Sequence, residues 1–95
     1  MIKVVVVRYF LPDREEDAAR LLGELRRRKV RHEGCVADDI LWSVDDPSMW
    51  IDISTWTNSD RWKNWQAGEE YTEIHDKMCN LLVTTEEVIL LKIFK

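Results

Sequence analysis

Apolar and polar residues recur along this chain with two different periods, and each change of period marks a new element. Residues 2–11, IKVVVVRYFL, are rich in β-branched and aromatic side chains and predict a strand that Pro12 ends. Ala18, Leu21, Leu22 and Leu25 then recur at helical spacing and predict one apolar stripe. Asp13 with Glu16 makes a D-x-x-E start close to a capping box, and Gly34 supplies the stop. CVADDILWSV (35–44) predicts a second strand, DDPS (45–48) a turn, and MWIDISTW (49–56) a third strand that closes a hairpin. The third strand alternates clearly, with Trp50, Asp52, Ser54 and Trp56 on one side and Ile51, Ile53 and Thr55 on the other.

TNSDRWKNWQ (57–66) opens a helix for which Thr57 and Asp60 form a capping pair, and Gly68 breaks it. A further helical segment follows from about Glu69 to Leu82, with Tyr71, Ile74, His75, Met78, Leu81 and Leu82 on its apolar face. TTEEVILLKIFK (84–95) predicts the last strand. Linkers, repeats and low-complexity tracts are absent, so one domain over residues 1–95 is expected. The order β-α-β-β-α-β predicts an α+β fold, the ferredoxin-like sandwich of one antiparallel sheet with helices on one face.

The first and last strands are apolar on both sides: Val4, Val6 and Phe10 alternate with Val5, Val7, Tyr9 and Leu11, and Val88, Leu90 and Phe94 with Ile89, Leu91 and Ile93. A strand facing water on one side should alternate apolar with polar. Helices cover one face of such a sheet, so something else must cover the other. Four strands of about eight residues span roughly 500 Å². Pairing two such faces would remove on the order of 1000 Å² from water, a gross gain of roughly 15–25 kcal/mol before association costs. A homodimer with the sheets face to face is therefore expected.

Composition narrows the function classes. The net charge of -4 argues against a general nucleic-acid binder, which needs a positive surface. No run approaches the ~18–20 apolar residues of a membrane span, and MIKVVVVRYF lacks a signal-peptide pattern. Cys35 and Cys79 lie far apart with no CxxC, which predicts free thiols and a cytoplasmic protein. The run Arg26, Arg27, Arg28, Lys29 and Arg31 is a phosphate patch or, more simply, a solvated helix end where cations suit the dipole.

The candidate chemistry is in WKNWQAGEEYTEIH (62–75). Trp62 and Trp65 are three residues apart, and Tyr71 and His75 four, so each pair shares a helix stripe. His75 lies between Ile74 and Met78 on the apolar face, where burial favours a neutral imidazole that can move a proton or ligate a metal. A stripe of this kind is also ordinary core material. Trp and Tyr carry polar atoms that need partners when buried, and that favours a pocket. Trp50 and Trp56 fit either the interior or the dimer face. Asp38 and Asp39 are strand neighbours on opposite faces and form no dyad with each other, and His32 is expected at the surface. Nucleophile elbow, phosphate loop, GxGxxG and HExxH are all missing.

The chain resembles the antibiotic biosynthesis monooxygenase (ABM) family over nearly its whole length. HEGC follows the first helix, VDDPSMW fills the hairpin, and STWTNSDRWKNW runs from the third strand into the second helical region. The resemblance implies a ferredoxin-like dimer forming an α+β barrel. It implies a small enzyme that often works without flavin or metal, oxidising polyaromatic phenols or anthrones to quinones with O2. Trp65 and Tyr71 are similar to the Trp and Tyr of that branch. Another branch binds haem and degrades it, using a first-strand Asn, a Trp, and a His ten residues later as iron ligand. Trp65 and His75 have that spacing, whereas Val7 stands at the Asn position.

No dedicated cofactor is therefore expected, with haem on His75 as the possible exception. Trp65, Tyr71 and His75 are the candidate catalytic residues, and Trp62, Val7, Ile74 and Met78 the candidate substrate contacts. Three readings stand: an ABM-type monooxygenase acting on an aromatic or phenolic molecule, a haem-binding or haem-degrading protein, and a non-enzymatic dimeric module for a small apolar ligand.

Overall fold

A computed structural model describes residues 1–94. Its elements run β1 (Ile2–Tyr9), α1 (Glu15–Lys29), β2 (Cys35–Trp42), β3 (Met49–Trp56), α2 (Ser59–Ala67), α3 (Glu69–Cys79) and β4 (Glu87–Lys92). The strands form one antiparallel sheet in the order β2-β3-β1-β4. This is the expected ferredoxin-like α+β arrangement, with the second helical region broken at Gly68.

Register assigns every strand residue to a face. Val4 pairs with Ser54 and Leu90, and Ser54 with Asp38. Val4, Val6, Arg8, Asp38, Asp52, Ser54 and Trp56 therefore share the side that the helices cover. The core there is built from Val4, Phe10, Trp56, Trp65, Ile74 and Met78 together with Ala18, Leu21, Leu22 and Leu25 of α1. Burial of one stripe of α1 against the sheet follows from the spacing of its leucines. Trp50 and Trp56 both lie on this side. Trp56 is fully buried, and Trp50 is half-buried, stacked on Trp42 at 4.5 Å and edge-on to Phe10 at 6.1 Å.

The opposite face carries Val5, Val7 and Tyr9 of β1, Ile51 and Ile53 of β3, Leu41 of β2, and Ile89 and Leu91 of β4. Leu41 and Leu91 are 51% and 49% exposed, and no element among the described residues covers this face.

Several boundaries differ from expectation. Asp13 does not cap α1: it takes a left-handed φ of 63°, and Arg14 occupies the cap position without a side-chain hydrogen bond. Asn58, not Thr57, caps α2 by accepting from the Arg61 N–H at 3.0 Å. Gly34 acts four residues beyond Val30, the last cap of α1, in the turn into β2. Its φ is 97°, and an added Cβ would collide with the side chain of Arg61.

The last strand starts later than expected, at Glu87, because 84–86 form a loop; the end of the expected strand, Lys95, lies outside the described residues. Phe10 and Leu11 leave β1 and are tied by backbone hydrogen bonds to Ser48 and Leu81, while Val83 bonds back to Tyr9.

The basic end of α1 is solvated only in part: Arg26, Arg27 and Arg31 are exposed, whereas Arg28 is half-buried and Lys29 is buried. Arg26 donates to the Asp38 carbonyl at 3.2 Å, Arg28 to the Glu70 carbonyl at 3.0 Å, and Lys29 is buried. These side chains tie α1 to β2 and α3. His32 is half-buried, edge-on to Trp65 at 5.4 Å and to Trp56 at 6.0 Å, because the chain folds it back under α2.

Candidate functional site

Helix α3 has two stripes. Ile74 and Met78, four residues apart, point into the core at 0% and 1% exposure. Tyr71, His75 and Cys79 form the adjacent stripe and look toward the loop that leads into β4. That loop supplies Glu86. Val7 pairs with Glu87, so the next step along the antiparallel ladder brings Glu86 beside Arg8.

Glu86 is 7% exposed at its side chain and has both oxygens engaged. Oε2 accepts from Arg8 Nε at 2.7 Å; Oε1 accepts from the Tyr71 hydroxyl at 3.1 Å and lies 2.9 Å from His75 Nε2. The carboxylate assigns the imidazole tautomer, with the proton on Nε2 and the lone pair on Nδ1. Tyr71 stacks on the His75 ring at 5.1 Å with 22° between planes, which fixes the ring's tilt. Cys79 Sγ is 3.7 Å from Nδ1.

His75, Cys79, Leu82, Thr84, Thr85 and Glu86 line a cleft of about 280 Å³. Burial, and then the Glu86 charge, hold the Tyr71 phenol well above its ordinary range, so it stays protonated and serves as a donor. Burial followed by the charges of Glu86 and Asp76 also raises the Cys79 thiol, which disfavours the nucleophilic thiolate. His75 is left as the group of this cleft equipped to take a proton.

A second polar cluster adjoins the first through Arg8. Its guanidinium is 4.0 Å from Asp52 Oδ2, and the Lys29 ammonium bridges Asp52 Oδ2 and, at 3.0 Å, Asp38 Oδ1. Arg8, Lys29, Asp38 and Asp52 are all buried. Asp38 and Asp39 do point to opposite faces, but Asp38 finds a carboxylate neighbour across the strands in Asp52.

Of the seven site residues expected from the sequence, the structure brings Tyr71 and His75 together at the cleft. Trp65 is 2% exposed and part of the core, touching Tyr71 edge-on at 5.8 Å rather than lining the opening. Trp62, Ile74 and Met78 also pack in or on the core. Val7 lies on the open face, because Val6 and Arg8 are the β1 residues that turn toward the helices.

Arg8, Lys29, Asp38, Asp52 and Glu86 were missed. A lone cation inside VVVVRYF and the polar members of the Trp50–Trp56 side of β3 are signals for Arg8 and Asp52; Lys29, Asp38 and Glu86 join them only through tertiary contacts.

Haem does not fit between helices and sheet. Trp65, Ile74 and Met78 occupy that space at 2% exposure or less, and His75 Nε2 is held by Glu86. Among the described residues no group of three or more His, Cys, Asp or Glu could hold a metal ion. No helix among them is long and apolar enough to cross a membrane.

The antiparallel sheet with its helices on one face defines the chain as a ferredoxin-like α+β protein. Within that class the chain belongs to the antibiotic biosynthesis monooxygenase family, whose model matches residues 1–77. Glu86 and most of the cleft lie after the matched residues. A crystal structure of an antibiotic biosynthesis monooxygenase superposes with a TM-score of 0.93 at 20% identity, covering 100% of both chains. A conserved protein from Methanosarcina mazei Go1 gives 0.91 at 16% identity over 96% of this chain and 90% of that one. Rv0793 from Mycobacterium tuberculosis gives 0.91 at 16% identity over 99% and 95%. Likeness at these identities speaks for the fold. No curated protein matches the sequence.

Proposed function

We propose that the protein is a small ABM-type monooxygenase that oxidises an aromatic, phenolic molecule with O2, and that His75 is its base. The observation that carries this reading is the oriented imidazole: Nε2 lies 2.9 Å from the buried Glu86 carboxylate, on the wall of a cleft of about 280 Å³. In the reaction proposed, His75 Nδ1 takes a proton from a phenol or from the ring CH2 of its keto tautomer. The resulting anion is electron-rich enough to reduce O2 without an added reductant. One oxygen atom ends as the new ring carbonyl, and the other leaves as water with the two hydrogens of the CH2. The substrate carbon loses four electrons and O2 gains them. The cleft contributes position and partial exclusion of water, and the Tyr71 hydroxyl holds Glu86 in place.

The working form in this proposal is a homodimer joined through the open apolar sheet face, which leaves the cleft, on the helical side, free for substrate. O2 uptake with anthrone-like phenols tests the reaction. A rate above buffer that disappears in His75→Ala is the expected result. No rate, or one unchanged in His75→Ala, rejects it.

The filled interior around Trp65, Ile74 and Met78 favours a second reading, a dimeric module that binds a small apolar molecule without turning it over. Saturable binding at His75 with no O2 consumption would select it.

A further inference from the structure

The helix-covered face of the sheet holds charges that the cleft chemistry does not use. Lys29, from the last turn of α1, lowers its ammonium between Asp38 on β2 and Asp52 on β3. The two carboxylates are diagonal neighbours, since β3 pairs Ser54 with Asp38 and Asp52 with Ile40. They are 4% and 2% exposed. Each keeps one oxygen without a hydrogen-bond partner, Asp38 Oδ2 and Asp52 Oδ1. Two orphaned acceptors in such surroundings are costly. A single proton relieves both, by turning one carboxyl into a donor to the other.

The charge count agrees. Asp38, Asp52 and Glu86 face Arg8 and Lys29, three negative groups against two positive, so the set is at -1 when all are ionised and at 0 with one proton. The remaining titratable or charged neighbours do not change that balance. Arg26 of α1 stands 3.8 Å from Asp38 Oδ2, but its side chain is 51% exposed and solvated. Cys35, at the start of β2, is a thiol that burial and then the Asp38 charge hold protonated. Tyr71 and His75 of α3 reach the cluster through Glu86.

We propose that Asp38 and Asp52 hold one shared proton in the folded protein, and that its loss draws Arg8 away from Glu86 toward Asp52. Arg8 already spans the two, with Nε 2.7 Å from Glu86 Oε2 and a terminal nitrogen 4.0 Å from Asp52 Oδ2. A second full negative charge on the pair strengthens the pull from the Asp52 side. Burial, followed by the hydrogen bond to Asp52, pushes the Asp38 carboxyl up to about 7. Burial also opposes ionisation of Asp52, but the hydrogen bond from Asp38 with Lys29 and Arg8 outweighs it and holds that carboxyl below its ordinary value. The change therefore falls near neutrality, where the grip of Arg8 on Glu86, and of Glu86 on the His75 ring, becomes sensitive to pH. It does not depend on which molecule the cleft takes.

The test is side-chain carboxyl carbon-13 NMR on the full chain from about pH 4 to about pH 9, with hydrogen exchange at Arg8 Nε over the same range. The Asp38–Asp52 pair should show a step near neutrality, whereas exposed aspartates finish below about pH 5. Above the step, Arg8 Nε–H exchange should rise several-fold beyond the base-catalysed slope. Asp38→Asn mimics the protonated member of the pair, so both effects should vanish in it. Completion of both carboxyl titrations below about pH 5 overturns the shared proton. An Arg8 exchange profile that follows the base-catalysed slope through the step overturns the link to Glu86. Both overturning results are read on the unmodified protein, so they stand even if the Asn variant fails to fold.

Discussion

The two faces of this sheet reverse the usual distribution of charge. The face under the helices carries five buried or nearly buried ionisable side chains, Arg8, Lys29, Asp38, Asp52 and Glu86. The face without a cover is aliphatic at its centre, with Lys3, Asp39 and Glu87 toward its margins, and its leucines 41 and 91 are half exposed. On the covered face charge is tolerated because every member has an opposite partner within 4.0 Å. On the open face apolar area has accumulated without any partner among the described residues, as the proposed dimer would require. Burial alone therefore says little about polarity here; what matters is whether a group's partner belongs to the same chain.

The sharpest way to break the covered face is to remove the ammonium that two carboxylates share. Lys29→Met should cost about 3–5 kcal/mol in urea unfolding, because it strands buried negative charge. Lys77→Met is the contrast: its pair with Glu73 is 3.9 Å long and more than half exposed, and no measurable change is expected.

Next in size is the pH dependence of stability. The Asp38 carboxyl is raised in the fold, to about 7, so its favourable contribution is complete below its unfolded value near 4 and is lost as pH rises through about 7. Between those limits the wild type should lose on the order of 2–4 kcal/mol relative to Asp38→Asn, read from paired denaturation curves. Curves that stay parallel would remove Asp38 as the source.

The open face is probed by Ile53→Asp, which puts a charge at its centre. Dimer affinity measured by sedimentation should fall about a hundredfold or more. A wild type that sediments as a lone subunit at micromolar concentration would instead dismiss the dimer. The smallest effect belongs to Glu86→Gln. The amide keeps the size of the carboxylate but loses its charge and its command of the imidazole tautomer. Turnover should fall about tenfold with little change in substrate affinity, which steady-state kinetics resolve into kcat and KM.

The fold was legible in the sequence because it depends on periodicity. The alternation in β3, the leucine spacing in α1 and the break at Gly68 each carried over into the structure with shifts of a few residues at the ends. The site was legible only in part. Tyr71 and His75 declare themselves by sharing a helix stripe, a local relation. Glu86 and Arg8 meet through strand register across 78 positions of chain, which no local pattern encodes.

Lys29 was misread for the same reason. At the end of a basic run it looks like a solvated cation, and only the approach of β2 and β3 from below makes it a buried one. Trp65 differs in the other direction: the resemblance makes it a candidate catalytic residue, and the structure places it at 2% exposure, in the core.

Arg8 stands near the C-terminal end of β1 with one carboxylate from each cluster within reach. A single guanidinium thus serves two masters, the architecture on one side and the proposed reactive groove on the other. Any evolutionary or engineered change to the groups lining the groove must either keep this arginine or replace its counter-ions in the interior at the same step. The reaction and the endurance of the molecule would then drift together, and variants selected for one property should carry a signature in the other.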